Sequence, residues 1–142
     1  MKRLSLIAVA AVFLLGCQTV PSEIPEDLTQ AELIQLAQDA SDQENWEAAQ
    51  AYYDAIIERY PNDRAAIATA RYEMAFIEYK RGNYDEAERR FDELLGMYDF
   101  EAEGLPSWPR VLTNRVLEAM EEERAREAEE AAAADDAATA EE

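Results

Sequence analysis

Apolar residues recur through the middle of the chain at helical spacing, not at the alternating spacing of strands. Thr29-Gln30-Ala31-Glu32 has the form of a capping box, in which a hydroxyl and a carboxylate satisfy free amides at a helix start. Leu33, Leu36, Ala37 and Ala40 follow on one helical face. Ser41 to Glu44 interrupts the pattern, and Asn45 is placed to cap a second helix presenting Trp46, Ala49, Tyr53, Ile56, Ile57 and Tyr60. Pro61-Asn62-Asp63 stops it. A third helix is predicted from about Arg64 to Arg81, ended by Gly82 in a left-handed cap. Asn83-Tyr84-Asp85-Glu86 opens a fourth, presenting Ala87, Phe91, Leu94, Leu95 and Tyr98. Glu101 to Ser107, with Gly104 and Pro106, reads as a linker. Trp108-Pro109 then starts a fifth helix with a stripe of Val111, Leu112, Val116, Leu117 and Met120.

The chain repeats itself at an offset of 38 residues. Leu36 meets Met74, Ala37 meets Ala75, Trp46 meets Tyr84 and Ala49 meets Ala87. Tyr53 meets Phe91, Ile56 and Ile57 meet Leu94 and Leu95, and Tyr60 meets Tyr98. A helix-pair unit of this length belongs to the solenoid class. Small residues at the recurring alanines let two helices approach closely, and the aromatic after them fills the space between pairs.

These positions resemble the tetratricopeptide repeat. Ala37 and Ala75 stand at its small position in the first helix of a pair, and Ala49 and Ala87 at the small position in the second. Tyr53 and Phe91 occupy the aromatic position, and Pro61 the closing proline. Asp99 stands where the second closing proline would be, and Leu33 and Arg71 replace the large aromatic near each repeat start. The resemblance covers about Gln30 to Tyr98. It implies an all-α fold: two helical hairpins plus a C-terminal capping helix, forming a segment of right-handed α-solenoid.

The first residues carry an address. Lys2 and Arg3 precede an apolar run from Leu4 to Leu15, broken only by Ser5, which ends in Gly16-Cys17. This is the form of a secretory signal peptide, and the run is short for a membrane span, which takes roughly 20 apolar residues. Leu14-Leu15-Gly16-Cys17 resembles the bacterial lipobox. The resemblance implies removal of residues 1–16 and acylation of Cys17. Gln18, which is not Asp, resembles the outer-membrane sorting signal of enteric bacteria. Residues 17–28, with Pro21 and Pro25, then form a lipidated tether that spans on the order of 30 Å if extended. Residues 29–120 form the helical domain, and residues 121–142 an Ala- and Glu-rich acidic tail. That tail is either a solvated, fraying extension or a contact for a basic partner.

Composition narrows the chemistry. The chain has 142 residues, 32 acidic and 13 basic, with no His and one Cys, for a net charge of −19. Loss of Lys2 and Arg3 with the signal peptide takes −19 to −21. Without His there is no His-based triad, general base or metal ligand, and one Cys allows neither an internal disulfide nor a Cys-pair zinc site. So acidic a chain lacks the counterion-displacing face that nucleic acid requires. No metal, cofactor or enzymatic role is expected, and the many acidic pairs read as solvated helix faces.

The expected work is protein recognition. In the repeat family the first helix of each pair lines the concave face, which singles out Tyr72, Phe76, Tyr79 and Lys80, with Ile34 and Gln38 at the equivalent positions of the first repeat. Tyr72, Phe76 and Tyr79 share one helical face. They are either a groove for a peptide or partner helix, or core beneath the fifth helix. The lipobox, the tether, the Tyr-Pro repeat ending and the run from Lys80 to Ala87 together resemble the BamD-like outer-membrane assembly lipoproteins. That resemblance implies a lipid-anchored, periplasm-facing scaffold whose partner is an outer-membrane β-barrel assembly protein. Another envelope repeat lipoprotein, a Tol-Pal or division organiser or a transporter helper subunit, stands as the alternative. If Cys17 carries the anchor, Cys17→Ser will move the protein from the membrane fraction to the soluble periplasm. Membrane fractionation by immunoblot checks this.

Overall fold

The computed structural model describes residues 20–139. Cys17, Gln18 and the expected signal peptide lie outside the described residues. Five helices account for the fold, and there is no strand among the described residues: α1 (Gln30–Asp42), α2 (Trp46–Arg59), α3 (Arg64–Lys80), α4 (Tyr84–Glu101) and α5 (Ser107–Thr139). The all-α expectation therefore holds.

Three of the helix starts have a side-chain cap. Thr29 and Glu32 form the capping box: the Thr29 amide donates to Glu32 Oε2 at 2.8 Å, and the Glu32 amide to Thr29 Oγ1 at 3.3 Å. Asn45 Oδ1 accepts from the Ala48 amide at 3.4 Å, and Asp63 Oδ1 from the Ala66 amide at 3.0 Å.

The offset of 38 reappears in the backbone. α1 and α2 form one hairpin, α3 and α4 the next, and their inner turns make equivalent backbone hydrogen bonds. Glu44 (φ +56°) and Gly82 (φ +78°) hold the same left-handed position. The Asn45 amide donates to the Ala40 carbonyl at 2.9 Å, and the Asn83 amide to the Glu78 carbonyl at 2.9 Å. The outer ends differ. Pro61 follows α2 closely, whereas Asp99 at the equivalent place lets α4 continue to Glu101. The second hairpin also gains length at its start, α3 having 17 residues against 13 in α1.

Two packed clusters share α3 as a common wall. The first joins Leu33, Ala37, Ala49, Tyr53 and Ile56 to Ala70 and Ile77 of α3. The second joins Ala68, Tyr72 and Ala75 of α3 to Ala87, Phe91, Leu94 and Tyr98 of α4 and to Met120 of α5. α5 runs back along α4, placing Leu112, Val116 and Leu117 on this cluster. Val111 is a correction to the predicted stripe, being exposed. The buried face of α5 instead passes through Pro109, Thr113 and Met120, at steps of four and seven. The Tyr98 hydroxyl donates to the Pro106 carbonyl at 2.8 Å and ties the α4–α5 connection to the core.

One further expectation needs correction. The tether is not free up to Leu28. Ile24 and Leu28 pack on the first cluster, and the Arg59 guanidinium donates to the Ile24 carbonyl at 2.8 Å and the Pro25 carbonyl at 2.7 Å. The acidic tail continues α5 as helix to Thr139. Ala and Glu favour helix, and Arg126 pairs with Glu123 and Glu130 along the same face.

The turns make a reciprocal test. A side chain in the left-handed region costs about 1–2 kcal/mol, part of which Gly gives back in unfolded-state entropy. Gly82→Ala will lower stability by about 1 kcal/mol, while Glu44→Gly will leave it unchanged or raise it. Urea unfolding followed by circular dichroism reads both.

Candidate functional site

The helix α3 places the predicted aromatic residues in sequence along one edge of the second hairpin, and tertiary packing divides them. Tyr72 is 6% exposed and belongs to the core. Its ring stacks on Phe76 (5.8 Å between centroids), meets Trp108 of α5 edge-on (5.3 Å) and tilts against Phe91 (6.0 Å). The assignment of Tyr72 to a partner-binding face is therefore corrected: α5 brings Trp108 over it, and burial removes it from contact with anything else. Phe76 and Tyr79 are half-buried, and both also pack on the second cluster. They stack at 5.7 Å, and Tyr79 continues to Tyr84 at 5.8 Å.

Lys80 completes this surface. Its Nζ lies 5.2 Å from the Trp46 ring centre and 5.7 Å from that of Phe76, which are cation–π distances. Trp46, at the start of α2, was not among the predicted site residues. The signal for it was its equivalence at 38 residues to Tyr84, which lies at the other end of the same ring series. Ile34 packs with the core of the first hairpin, and Gln38 lies exposed on α1. Neither joins the ring series of Phe76, Tyr79 and Tyr84. Cys17, the predicted lipidation site, is outside the described residues.

Carboxylates border the aromatic patch. Glu73, one turn before Ile77 on α3, has its carboxyl pushed above the usual range by burial, with Lys80 acting in the opposite direction. Burial also raises the Tyr53 and Tyr72 phenols, and the nearby Glu73 charge adds to both shifts. These hydroxyls remain neutral at physiological pH and act as hydrogen-bonding, apolar-bodied groups rather than as bases.

A buried carboxylate, that of Glu78, holds the inner turns together. Glu78 is 5% exposed. It accepts from Gln50 Nε2 of α2 at 2.5 Å, from Asn83 Nδ2 at 2.6 Å and from Arg81 at 3.4 Å. Asn83 consequently spends its side chain on Glu78 and makes no cap, unlike Asn45, whose counterpart to Glu78 is Ala40. Arg81 also reaches Glu47 of α2 at 3.6 Å. The network links α2, α3 and the turn into α4.

Elsewhere the charges form surface pairs. Arg89 and Arg90 both hydrogen-bond Glu86, and Arg89 also pairs with Glu93. The Arg89 and Arg90 donors hold the Glu86 carboxyl down to about 2. A cleft of about 180 Å³ beside them is lined by Ile57, Arg71 and Met74. Arg124 of α5 donates to Glu88 of α4 at 2.7 Å and to Asp85 at 3.3 Å, a clamp across the two helices. No group of three His, Cys, Asp or Glu side chains suited to a metal ion occurs among the described residues, and no described helix is long and apolar enough to cross a membrane.

Comparison with known proteins adds one relative. A protein of Treponema pallidum (strain Nichols), described only as uncharacterized, is 34% identical over 89 residues. The match takes in 61% of this chain and 36% of the relative, so the chain spans little more than a third of that protein's length. No protein-family profile matches the chain, and no solved structure matches it.

The shifted carboxyl makes a pH prediction. Because Glu73 has a raised native pKa, the folded state prefers the protonated acid, and ionisation removes stability as pH rises above the ordinary glutamate range. Glu73→Gln will therefore raise the urea midpoint at about pH 7, and the gain will vanish at about pH 3.5, where both states of the parent carry the protonated acid.

Proposed function

We propose that this chain is a lipid-anchored envelope protein whose tetratricopeptide-like hairpins present an aromatic and cationic face to a protein partner. The observation that carries the reading is the patch of Trp46, Phe76, Tyr79, Lys80 and Tyr84. Three half-buried or exposed rings in series are joined to a lysine held over two ring faces, on a rigid edge of paired helices. Aromatic side chains contribute large contact area at little entropic cost and dominate interface energetics. A lysine already poised on rings adds a directed charge for a carboxylate or carbonyl of the partner.

The repeat reading is supported by the recurrence of the left-handed turn at Glu44 and Gly82 and by the buried alanines at equivalent places in both hairpins. The lipobox-like Leu14-Leu15-Gly16-Cys17 supports the anchor. Within that reading, the sequence resemblance to BamD-like lipoproteins makes an outer-membrane β-barrel assembly protein the partner of choice. The chain then works from the periplasmic side of the outer membrane, as a scaffold and not as a catalyst.

Affinity capture from detergent-solubilised envelopes tests the partner. The wild-type chain will recover an outer-membrane barrel-assembly protein, and Phe76→Ala and Lys80→Ala will each weaken that recovery. The Phe76 change is expected to cost about 1–2 kcal/mol of binding, with helicity by circular dichroism retained. Recovery of transporter or peptidoglycan-associated proteins instead, or capture that is insensitive to both substitutions, defeats the assembly role.

A further inference from the structure

Where the two hairpins meet, one buried side chain carries a polar group that packing does not need. Tyr53 of α2 is 1% exposed and packs among Ala37 and Ala40 of α1 and Ala70 and Ile77 of α3. Phe91 fills the equivalent place in the second hairpin with a plain ring. The Tyr53 hydroxyl is therefore surplus to packing, and a buried hydroxyl without a hydrogen bond is costly. No described residue bonds to it. Thr113 Oγ1 is the one fully enclosed side-chain polar atom without a partner among the described residues, so the Tyr53 oxygen keeps an opening to solvent.

Contacts on either side place that oxygen. Gln50, one turn earlier on α2, bonds Glu78 at 2.5 Å, and Ile57, one turn later, shares a cleft with Met74. Tyr53 thus stands opposite the turn of α3 that runs from Glu73 to Ile77. Burial raises its phenol, and the charges of Glu73 and, from the end of α1, Asp42 raise it further, so both carboxylates stand near the hydroxyl. Neither receives a hydrogen bond or an ion pair from the described residues. The first hairpin differs. There Gln35, the equivalent of Glu73, donates to Asp39 at 2.7 Å, whereas α3 has Ile77 in the place of Asp39. Lys80 does not fill the gap. Its ammonium lies 5.2 Å from the Trp46 ring centre and 5.7 Å from that of Phe76, and it forms no ion pair with a described residue.

We propose that Tyr53, Glu73 and Asp42 form a cation-accepting site for an arginine side chain of the protein partner, whose guanidinium donates to the two carboxylates and the phenol oxygen. The site rests on the partner-binding reading above and names what that face selects. Charge decides the occupant. From Asp39 to Glu47 the chain carries four acids and no base, and on α3 and its cap Glu73 and Glu78 stand against Lys80 and Arg81. The excess is acidic even with both cations counted. A guanidinium has five donors and no acceptor, which suits three oxygens that lack donors. It also relieves the partial burial of the Glu73 carboxylate, since a charge held away from water is stabilised by a hydrogen-bonded counter-charge. Lys80, already settled on its rings, stays available to a carbonyl of the same partner segment.

The isotope-labelled full chain, held in detergent micelles, would be titrated with N-acetyl-arginine methylamide and, separately, with its uncharged isostere N-acetyl-citrulline methylamide. The arginine probe is expected to bind saturably, with amide NMR shifts centred on Tyr53 and Glu73, and the citrulline probe roughly tenfold more weakly. Tyr53→Phe keeps the ring that Phe91 shows to be sufficient for packing, and Glu73→Gln is expected to gain stability. Each should weaken the arginine probe several-fold with helicity retained. Equal binding of the two probes, no saturable binding, shifts confined to the acidic arm, or an affinity unchanged in both variants overturns the site. Capture of a barrel-assembly protein that Phe76→Ala weakens but Tyr53→Phe and Glu73→Gln leave untouched also overturns it, and leaves the partner-binding face standing. Capture insensitive to Phe76→Ala and Lys80→Ala removes the face, and the arginine site with it.

Discussion

The close approach of helices through alanine is the constraint on which the rest of this structure depends. Ala37, Ala49, Ala68, Ala75 and Ala87 have no exposed surface. Each stands at a helix–helix contact where a larger side chain would hold the backbones apart. The space that remains between hairpins is filled by Tyr53 in the first and Phe91 in the second, both fully buried. Small and large positions therefore work as one device: the alanines set the separation and the aromatics fill the wedge it leaves. Because α3 shows one set of small residues to α2 and another to α4, it serves two cores at once and couples the hairpins.

The departures from internal symmetry give the molecule its distinct surfaces. Replacement of Ala40 by Glu78 at the equivalent place introduces a buried carboxylate, and Gln50, Arg81 and Asn83 converge to satisfy it. An unpaired charge there would be costly, so the network is a condition of burial and not an added stabiliser. Loss of the second closing proline lets α4 lengthen, which carries Phe100 out into solvent. The last hairpin lacks a successor, and α5 covers its open flank with Leu112, Val116, Leu117 and Met120. That cover reaches Tyr72 through Trp108 but leaves Phe76, Tyr79 and Tyr84 with accessible edges.

Charge is arranged so that a chain of net −19 remains compact. The arginines are drawn to the places where acidic helices meet or begin: Arg89 and Arg90 about Glu86, Arg124 between α5 and α4, and Arg126 along the arm. Such exposed pairs contribute little individually. They join acidic side chains of neighbouring turns and helices, while the far part of α5 carries acids and alanines and nothing large and apolar.

The sequence by itself determined the helices, because their information is local. The capping box at Thr29, the stop at Pro61, the left-handed position at Gly82 and the period-38 alanines each act within a few residues or repeat in plain view. It also marked α3 as the bearer of the candidate face. Only tertiary structure decided which of those rings stay available, since Tyr72 is lost to the core through a tryptophan 36 positions later in the chain. Tertiary structure likewise brought Lys80 onto Trp46, Arg124 onto Glu88 and Arg59 onto the carbonyls of Ile24 and Pro25. The physical reason is common to all four. A cap or a turn is satisfied by its own neighbours, whereas burial, a cation on a ring and a guanidinium on a distant carbonyl depend on distances between helices, which are set only once the alanines have closed the core.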